Sequence, residues 1–252
     1  MQQPYVQCHV KDSIATITFF SPQHNSLPSA ILQQLADTIV QANENDDCKV
    51  IVLQSAGEKT FCAGASFDEL LQIENKEQGI AFFSGFAKVI NAMRCCKKII
   101  IGRIQGKAIG GGVGLAASCD YTMATQAAAI KLSELAVGIG PFVVGPAVER
   151  KIGTSAAFEL AIDATQFRTA EWAKQKGLYA AVFESTEKLD EAIATLATTL
   201  ASSSMAAMTA IKKAFWQGTE NWNELLAERA AISGSLVISN ETKTFLKAFK
   251  SK

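Results

Sequence analysis

Ala108 to Asp120 read AIGGGVGLAASCD. Three glycines open what otherwise reads as a small apolar helix, and a fourth, Gly114, falls where the helix should be under way. Glycine costs roughly 1 kcal/mol relative to alanine inside a helix, so the run needs a reason. One is conformational: glycine takes the positive φ that a tight strand-to-helix turn can demand. Another is access. The first turn of a helix has unpaired N–H groups and a positive partial charge, and only glycine lets another molecule come that close. After a buried strand, such a terminus suits an anion or a developing oxyanion. Close packing of the helix on a neighbour is the third account, and the pattern alone leaves these open. The spacing GGGVG is not the dinucleotide fingerprint GxGxxG, and no Gly-Lys-Ser/Thr follows to make a P-loop.

The flanking sequence sets the fold class. Lys98–Ile104 (KIIIGRI) precedes the glycines, and Lys49–Gln54 (KVIVLQ) is a similar continuous apolar run. Both read as parallel strands buried on two faces. Val6–Val10 and Ile14–Phe20 read as strands around a Lys11-Asp12-Ser13 turn, and Asp120–Ala124 as a further short strand. Ser29–Asn43 has helical periodicity through Ile31, Leu32, Leu35, Ile39 and Val40. Gly57–Ser66 reads as loop and Phe67–Met93 as largely helical. Past Gly140 the chain turns helical, over Ser155–Ile162, Thr169–Lys176, Leu189–Ser202, Met205–Trp216, Glu220–Ile238 and Glu241–Lys250. The alternation predicts an α/β fold with stacked parallel strands.

Composition narrows the function. The 252 residues are 48% hydrophobic, with 24 basic and 24 acidic side chains and no net charge. That describes a globular chain with nothing to steer it to nucleic acid or an anionic membrane. No apolar run reaches the ~18 residues of a membrane helix, and no basic-plus-apolar leader or peroxisomal Ser-Lys-Leu address is expected. The six cysteines (Cys8, Cys48, Cys62, Cys95, Cys96 and Cys119) form no CxxC pair, and His9 and His24 are the only histidines. A zinc site is not expected. Reduced core thiols in a cytoplasmic protein are.

A second loop, Thr60–Asp68 (TFCAGASFD), also follows a buried strand and leads into a helix. Together with GKAIGGGVGLAASCDY, the later KLSELAVGIGP, the Pro22–Leu27 entry to the first helix and Ala170–Leu178 (AEWAKQKGL), it resembles the crotonase superfamily, the enoyl-CoA hydratase/isomerase family, over nearly the whole chain. The resemblance implies a spiral of ββα turns with a C-terminal helical region that mediates trimer formation. The expected division is a core over 1–195 and a helical region over 196–252. It also implies an acyl-CoA substrate whose thioester carbonyl is held by two backbone amides, an oxyanion hole that falls here at Ala65 and Gly111. Ala63, Ser66, Gly110 and Phe142 are the expected substrate-binding positions, with plain core the alternative for Phe142.

Hydratases of this family usually carry two glutamates. The first position is Gly114 here; the second is Glu134, in LSEL. Between Leu132, Leu135 and Val137 a carboxyl should be desolvated and its pKa raised, which suits a general acid/base. An ordinary glutamate near Ser133 is the alternative. A lone glutamate fits an enoyl-CoA isomerase. The glycine exchange also looks like bacterial enoyl-CoA or methylglutaconyl-CoA hydratases, in which water would be held by backbone groups, by the substrate's carboxylate, or by an anion in space vacated at Gly114. Asp68, Glu69 and Glu149 are further carboxylates, Glu149 being expected in a salt bridge with Arg150. Phe82, Phe83 and Phe86 serve as core or as acyl-site wall. Trp172, Trp216 and Trp222 read as packing residues. Lys247 and Lys250 would reach CoA phosphates or form a solvated tail. The expectation is a cytoplasmic homotrimer or homohexamer acting on an unsaturated acyl-CoA, with no metal or separate cofactor. A non-catalytic acyl-CoA-binding protein on the same fold is the alternative.

Overall fold

In a computed structural model that describes residues 3–250, the chain winds as a spiral. β1 (Tyr5–Lys11) and β2 (Ile14–Phe20) form an antiparallel hairpin that pairs Lys11 with Ile14. Asp12 and Ser13 turn it, both at positive φ, as the favoured two-residue hairpin requires. A unit of long strand, short strand and helix then repeats. β3 (Ser26–Leu27) and α1 (Ser29–Glu44) close the first turn. β4 (Val50–Ser55), β5 (Thr60–Cys62), β6 (Gly64–Ala65), α2 (Phe67–Leu71) and α3 (Lys76–Cys95) make the second. β7 (Ile99–Ile104), β8 (Lys107–Ile109) and α4 (Gly111–Ser118) make the third. β9 (Tyr121–Thr125), β10 (Ile130–Lys131), a 3₁₀ turn (Leu135–Val137) and α5 (Gly145–Ile162) make the fourth. After them come α6 (Ala170–Gln175), β11 (Ala181–Phe183), α7 (Thr186–Ala201), α8 (Met205–Phe215), α9 (Trp222–Val237) and α10 (Asn240–Lys250). The long strands form one sheet in the order β1-β2-β4-β7-β9-β11, parallel from β2 onward. The short strands stack as β10-β8-β5 and β3-β6.

Both faces of the large sheet are covered. Ile51 and Leu53 of β4 point into the spiral, with Leu32, Leu35 and Ile39 of α1 and Ile90 and Met93 of α3. Val50 and Val52 point the other way, under Leu189, Ile193 and Ala197 of α7. This double cover is why β4 reads as unbroken apolar sequence. Each such fully buried aliphatic side chain contributes about 1.5–3 kcal/mol. α1 has no cap of its own at Pro28. Glu69 of α2 supplies one, accepting from Ser29 N at 3.0 Å and Ser29 Oγ at 2.6 Å, an acid at a helix N-terminus. α8 docks through a buried polar cluster: Lys212 Nζ pairs with Asp120 at 2.8 Å, and Trp216 Nε1 donates to the same carboxylate at 2.7 Å.

The structure departs from the sequence reading in several places. Gly57–Ser66 is not all loop, since it contains β5 and β6, and β8 and β11 were not anticipated. Strands of two or three residues are too short to show a period. The helix expected over Phe67–Met93 is two helices. Asn75 starts the second by accepting from Gln78 N at 2.9 Å. α5 begins at Gly145 and kinks at Gly153, φ 78°. The boundary expected at 195/196 falls inside α7, which packs on the sheet, so the change of character comes after Ala201. Cys8 and Cys95 are exposed rather than core. Trp216 and Trp222 do pack edge to face. Among the described residues no helix is long and apolar enough to cross a membrane.

Candidate active site

The four glycines of the opening stretch meet four different neighbours. Gly110 sits at φ 53°, ψ −116°, a conformation side chains resist, and a Cβ there would lie 3.0 Å from Glu134 Oε1. At Gly111 a Cβ would lie 2.2 Å from the Phe86 ring, and at Gly112 2.3 Å from the carbonyl oxygen of Cys62. At Gly114 it would lie 2.5 Å from Val144 Cγ1. No vacant space is therefore left at Gly114. Val144 fills it, which corrects the expectation of an anion there.

The two glycine-bearing loops touch backbone to backbone. A Cβ on Gly64 would stand 3.4 Å from Gly111 N. Ser66 N donates to Leu27 O at 3.0 Å. Successive amides of a strand face opposite edges, so the N–H of Ala65 points away from β3. Gly111 is the first residue of α4, where the helix cannot satisfy the amide. Two buried side-chain amides hold these loops from beneath. Asn25, at φ 56°, donates to Ala56 O (2.8 Å) and Thr60 O (2.9 Å), and Gln105 donates to Ser55 Oγ (2.9 Å) and Gly57 O (3.0 Å).

A cavity of about 430 Å³ opens over these loops. Ala63, Ala65, Gly110, Gly111, Glu134 and Phe142 all line it. Ser66 does not: it is buried, and its hydroxyl caps α2 by accepting from Glu69 N. Phe82, Phe83 and Phe86 from α3 form one wall, so they serve as both core and lining. Phe142 folds back over Gly140. Of the other carboxylates, Asp68 reaches only the exposed rim, bonded to Gln23 Nε2 at 2.8 Å. Glu69 is committed to α1, and Glu149 accepts from Thr154 rather than pairing with Arg150. Arg150 instead stacks 4.0 Å over Trp216. Lys247 is exposed, and the side chain of Lys250 lies outside the described residues.

Glu134 is the chemically unusual group. The residue as a whole is half-buried, but its carboxyl end is enclosed, and Oε2 has no hydrogen-bond partner among the described residues. Such orphans are rare in native folds. Burial pushes its pKa up to about 7, against the pull of the Ser133 and Glu134 amides. The group therefore titrates where it can both take and return a proton at neutral pH.

Lys131 and Ser233, two polar lining residues, escaped the sequence reading. Lys131 has its Nζ 4.5 Å from the Phe167 ring centre, with Lys107 Nζ at 5.3 Å. Burial and the second lysine lower its pKa. Ser233 of α9 also faces the cavity. The only cue to it was a polar residue on the buried face of a helix. Among the described residues no three His, Cys, Asp or Glu side chains converge to hold a metal.

Comparison with known proteins places this geometry in context. Residues 9–252 match the family model described as enoyl-CoA hydratase/isomerase. The chain is 33% identical over 170 residues, 66% of its length, to the peroxisomal fatty acid beta-oxidation multifunctional protein of Oryza sativa subsp. japonica, of which the match spans 23%. It is 28% identical over 231 residues to the peroxisomal Delta(3,5)-Delta(2,4)-dienoyl-CoA isomerase of Arabidopsis thaliana, covering 85% of this chain and 81% of that protein. The crystal structure of enoyl-CoA hydratase from Bacillus halodurans superposes with a TM-score of 0.89 at 22% identity, over 97% of this chain and 99% of that one. Its likeness establishes the crotonase fold. With the family model spanning nearly its whole length, this chain belongs to the enoyl-CoA hydratase/isomerase family.

Proposed function

We propose that the protein shifts the double bond of an unsaturated acyl-CoA thioester by carrying one proton on Glu134. The observation that carries the reading is one enclosed carboxyl group beside Gly110, at the start of α4, whose Oε2 has no partner among the described residues. The thioester oxygen accepts from the amides of Ala65 and Gly111. An enolate is the costly species in removing an α-proton, and two preorganised donors stabilise it; losing one such donor typically costs about 2.7–4 kcal/mol. Glu134, ionised, takes the α-proton of a β,γ-unsaturated ester. The electron pair of the broken C–H bond spreads over the dienolate, the double bond moves to the α,β position, and the same proton returns at the γ-carbon. No water is consumed.

Hydration by the two-glutamate route would need a second carboxylate to activate water. Position 114 supplies no side chain, and Val144 occupies the space beside it. This supports isomerisation over hydration. Ala63, Gly110 and Phe142 would border the acyl group. Lys131 and Lys107, flanking Phe167, offer positive charge to the phosphates that CoA brings as part of the substrate. No further cofactor enters this reading. The same reading has the chain assemble as a homotrimer or a pair of trimers, and exposed Phe158, Ile162, Ile211 and Phe215 supply apolar surface for it.

The test follows the ultraviolet band of the conjugated enoyl thioester. Short, branched and β,γ-unsaturated CoA esters are each mixed with wild type and with Glu134→Gln. Conversion by wild type alone is expected for at least one β,γ-ester. Equal background rates for both proteins on every ester would instead favour a non-catalytic acyl-CoA-binding protein.

A further inference from the structure

We infer that the acyl chain taken by this cavity ends in a hydrogen-bonding group, a hydroxyl or a carbonyl oxygen, and that Ser233 binds it. The inference rests on the acyl-CoA reading above and extends it to the substrate's far end.

Ser233 is 1% exposed and lines the cavity from α9. A helical serine usually satisfies its hydroxyl on the carbonyl one turn back, as Ser235 does on Ala231 O at 3.0 Å. Ser233 makes no such bond among the described residues, nor any other. Phe82 and Phe83 of α3, with Val137 and Ile139, contribute apolar lining to the same cavity. Of the cavity's other polar side chains, Ser26 Oγ donates to Ala65 O at 2.9 Å and Gln23 to Asp68, while Glu134 has the proton-carrying role given above.

Helix packing does not explain the hydroxyl. α3 and α9 cross at Gly79 and Gly234, where a Cβ on Gly79 would lie 2.8 Å from Gly234 Cα. That crossing asks for small residues, and alanine at 233 would meet it. The hydroxyl of Ser233 faces the cavity without a partner from the protein among the described residues, and a ligand oxygen would supply one. The group is neutral, and Lys131, the one lysine lining the cavity among the described residues, is turned to Phe167. A neutral oxygen therefore suits the site better than a carboxylate.

Calorimetric titration tests this with short saturated CoA thioesters, each with and without a terminal hydroxyl, against wild type, Ser233→Ala and Ser233→Thr. Wild type is expected to bind the hydroxylated member of the best pair about tenfold more tightly. Ser233→Ala should bind the two members within about twofold of each other, and Ser233→Thr should keep the preference. Binding of both members without preference in wild type, or a preference that survives in Ser233→Ala, overturns the role of Ser233 alone. Failure of wild type to bind any thioester overturns the acyl-CoA reading and this inference with it.

Discussion

Replacing Glu134 by glutamine should make the protein more stable while abolishing its activity. The native carboxyl titrates at about 7, against an ordinary 4.5 for the unfolded chain. Between those values the native state holds a proton that the unfolded state has released. More protons are then bound to the native form, so stability falls as pH rises across this window. At about 1.4 kcal/mol per tenfold, the full cost of burying the charge is about 3 kcal/mol, reached above pH ~7. Glutamine fills the same volume and cannot ionise. Urea denaturation followed by circular dichroism should show Glu134→Gln exceeding wild type by about 1 kcal/mol at pH ~5 and about 3 kcal/mol at pH ~8. A difference that does not change with pH would refute the reasoning. It would mean that the carboxylate is solvated or hydrogen-bonded in the native protein.

Four further outcomes follow. The rate constant kcat/KM should rise as pH passes through about 7, because the base must be ionised to take the α-proton; a flat profile on a turned-over ester would exclude Glu134 as that base. Gly112→Ala pushes a methyl to 2.3 Å from the backbone oxygen of Cys62, which has little freedom to retreat, and should lower stability in denaturant melts by about 1–3 kcal/mol. Asn25→Ala strands the carbonyl of Ala56 and the amide of Ser21 and leaves Thr60 O with Gln105 Nε2 at 3.4 Å, costing about 2–3 kcal/mol by the same assay and slowing turnover through the loosened loop. Gly114→Glu alone should destabilise the fold against Val144, whereas Gly114→Glu with Val144→Ala should recover stability; equal stability of the two variants would show that Val144 yields freely.

Much of the spiral was legible because its long strands carry their own evidence. KVIVLQ and KIIIGRI could be buried only in a sheet covered twice, and α7 is the second cover. The short strands β5, β6 and β8 were not legible. Two or three residues carry no periodicity, and their order comes from stacking on one another. At the site, Glu134 was singled out by the family resemblance, since its neighbours in sequence also fit an ordinary glutamate, and the cavity does gather it with Gly110 and Gly111. Ser66 shows the opposite case. It sits between two lining residues in sequence, yet the start of α2 takes its hydroxyl as a cap. Val144 at Gly114 and Ser233 on α9 were beyond reach for a common reason. Val144 reaches Gly114 from the turn before α5 and Ser233 reaches the cavity on α9, so no pattern local to the glycines marks either. Lys131 was missed because its lining role depends on a side chain lying along Phe167.

The central claim is that one carboxylate, aided by the amides of Ala65 and Gly111, moves a proton along an acyl thioester without adding water. Mass spectrometry of a β,γ-unsaturated acyl-CoA turned over in ¹⁸O-labelled water measures this directly. The account predicts a conjugated product of unchanged mass, formed by wild type and absent with Glu134→Gln. A labelled hydroxyacyl product, or equal conversion by the variant, would contradict it.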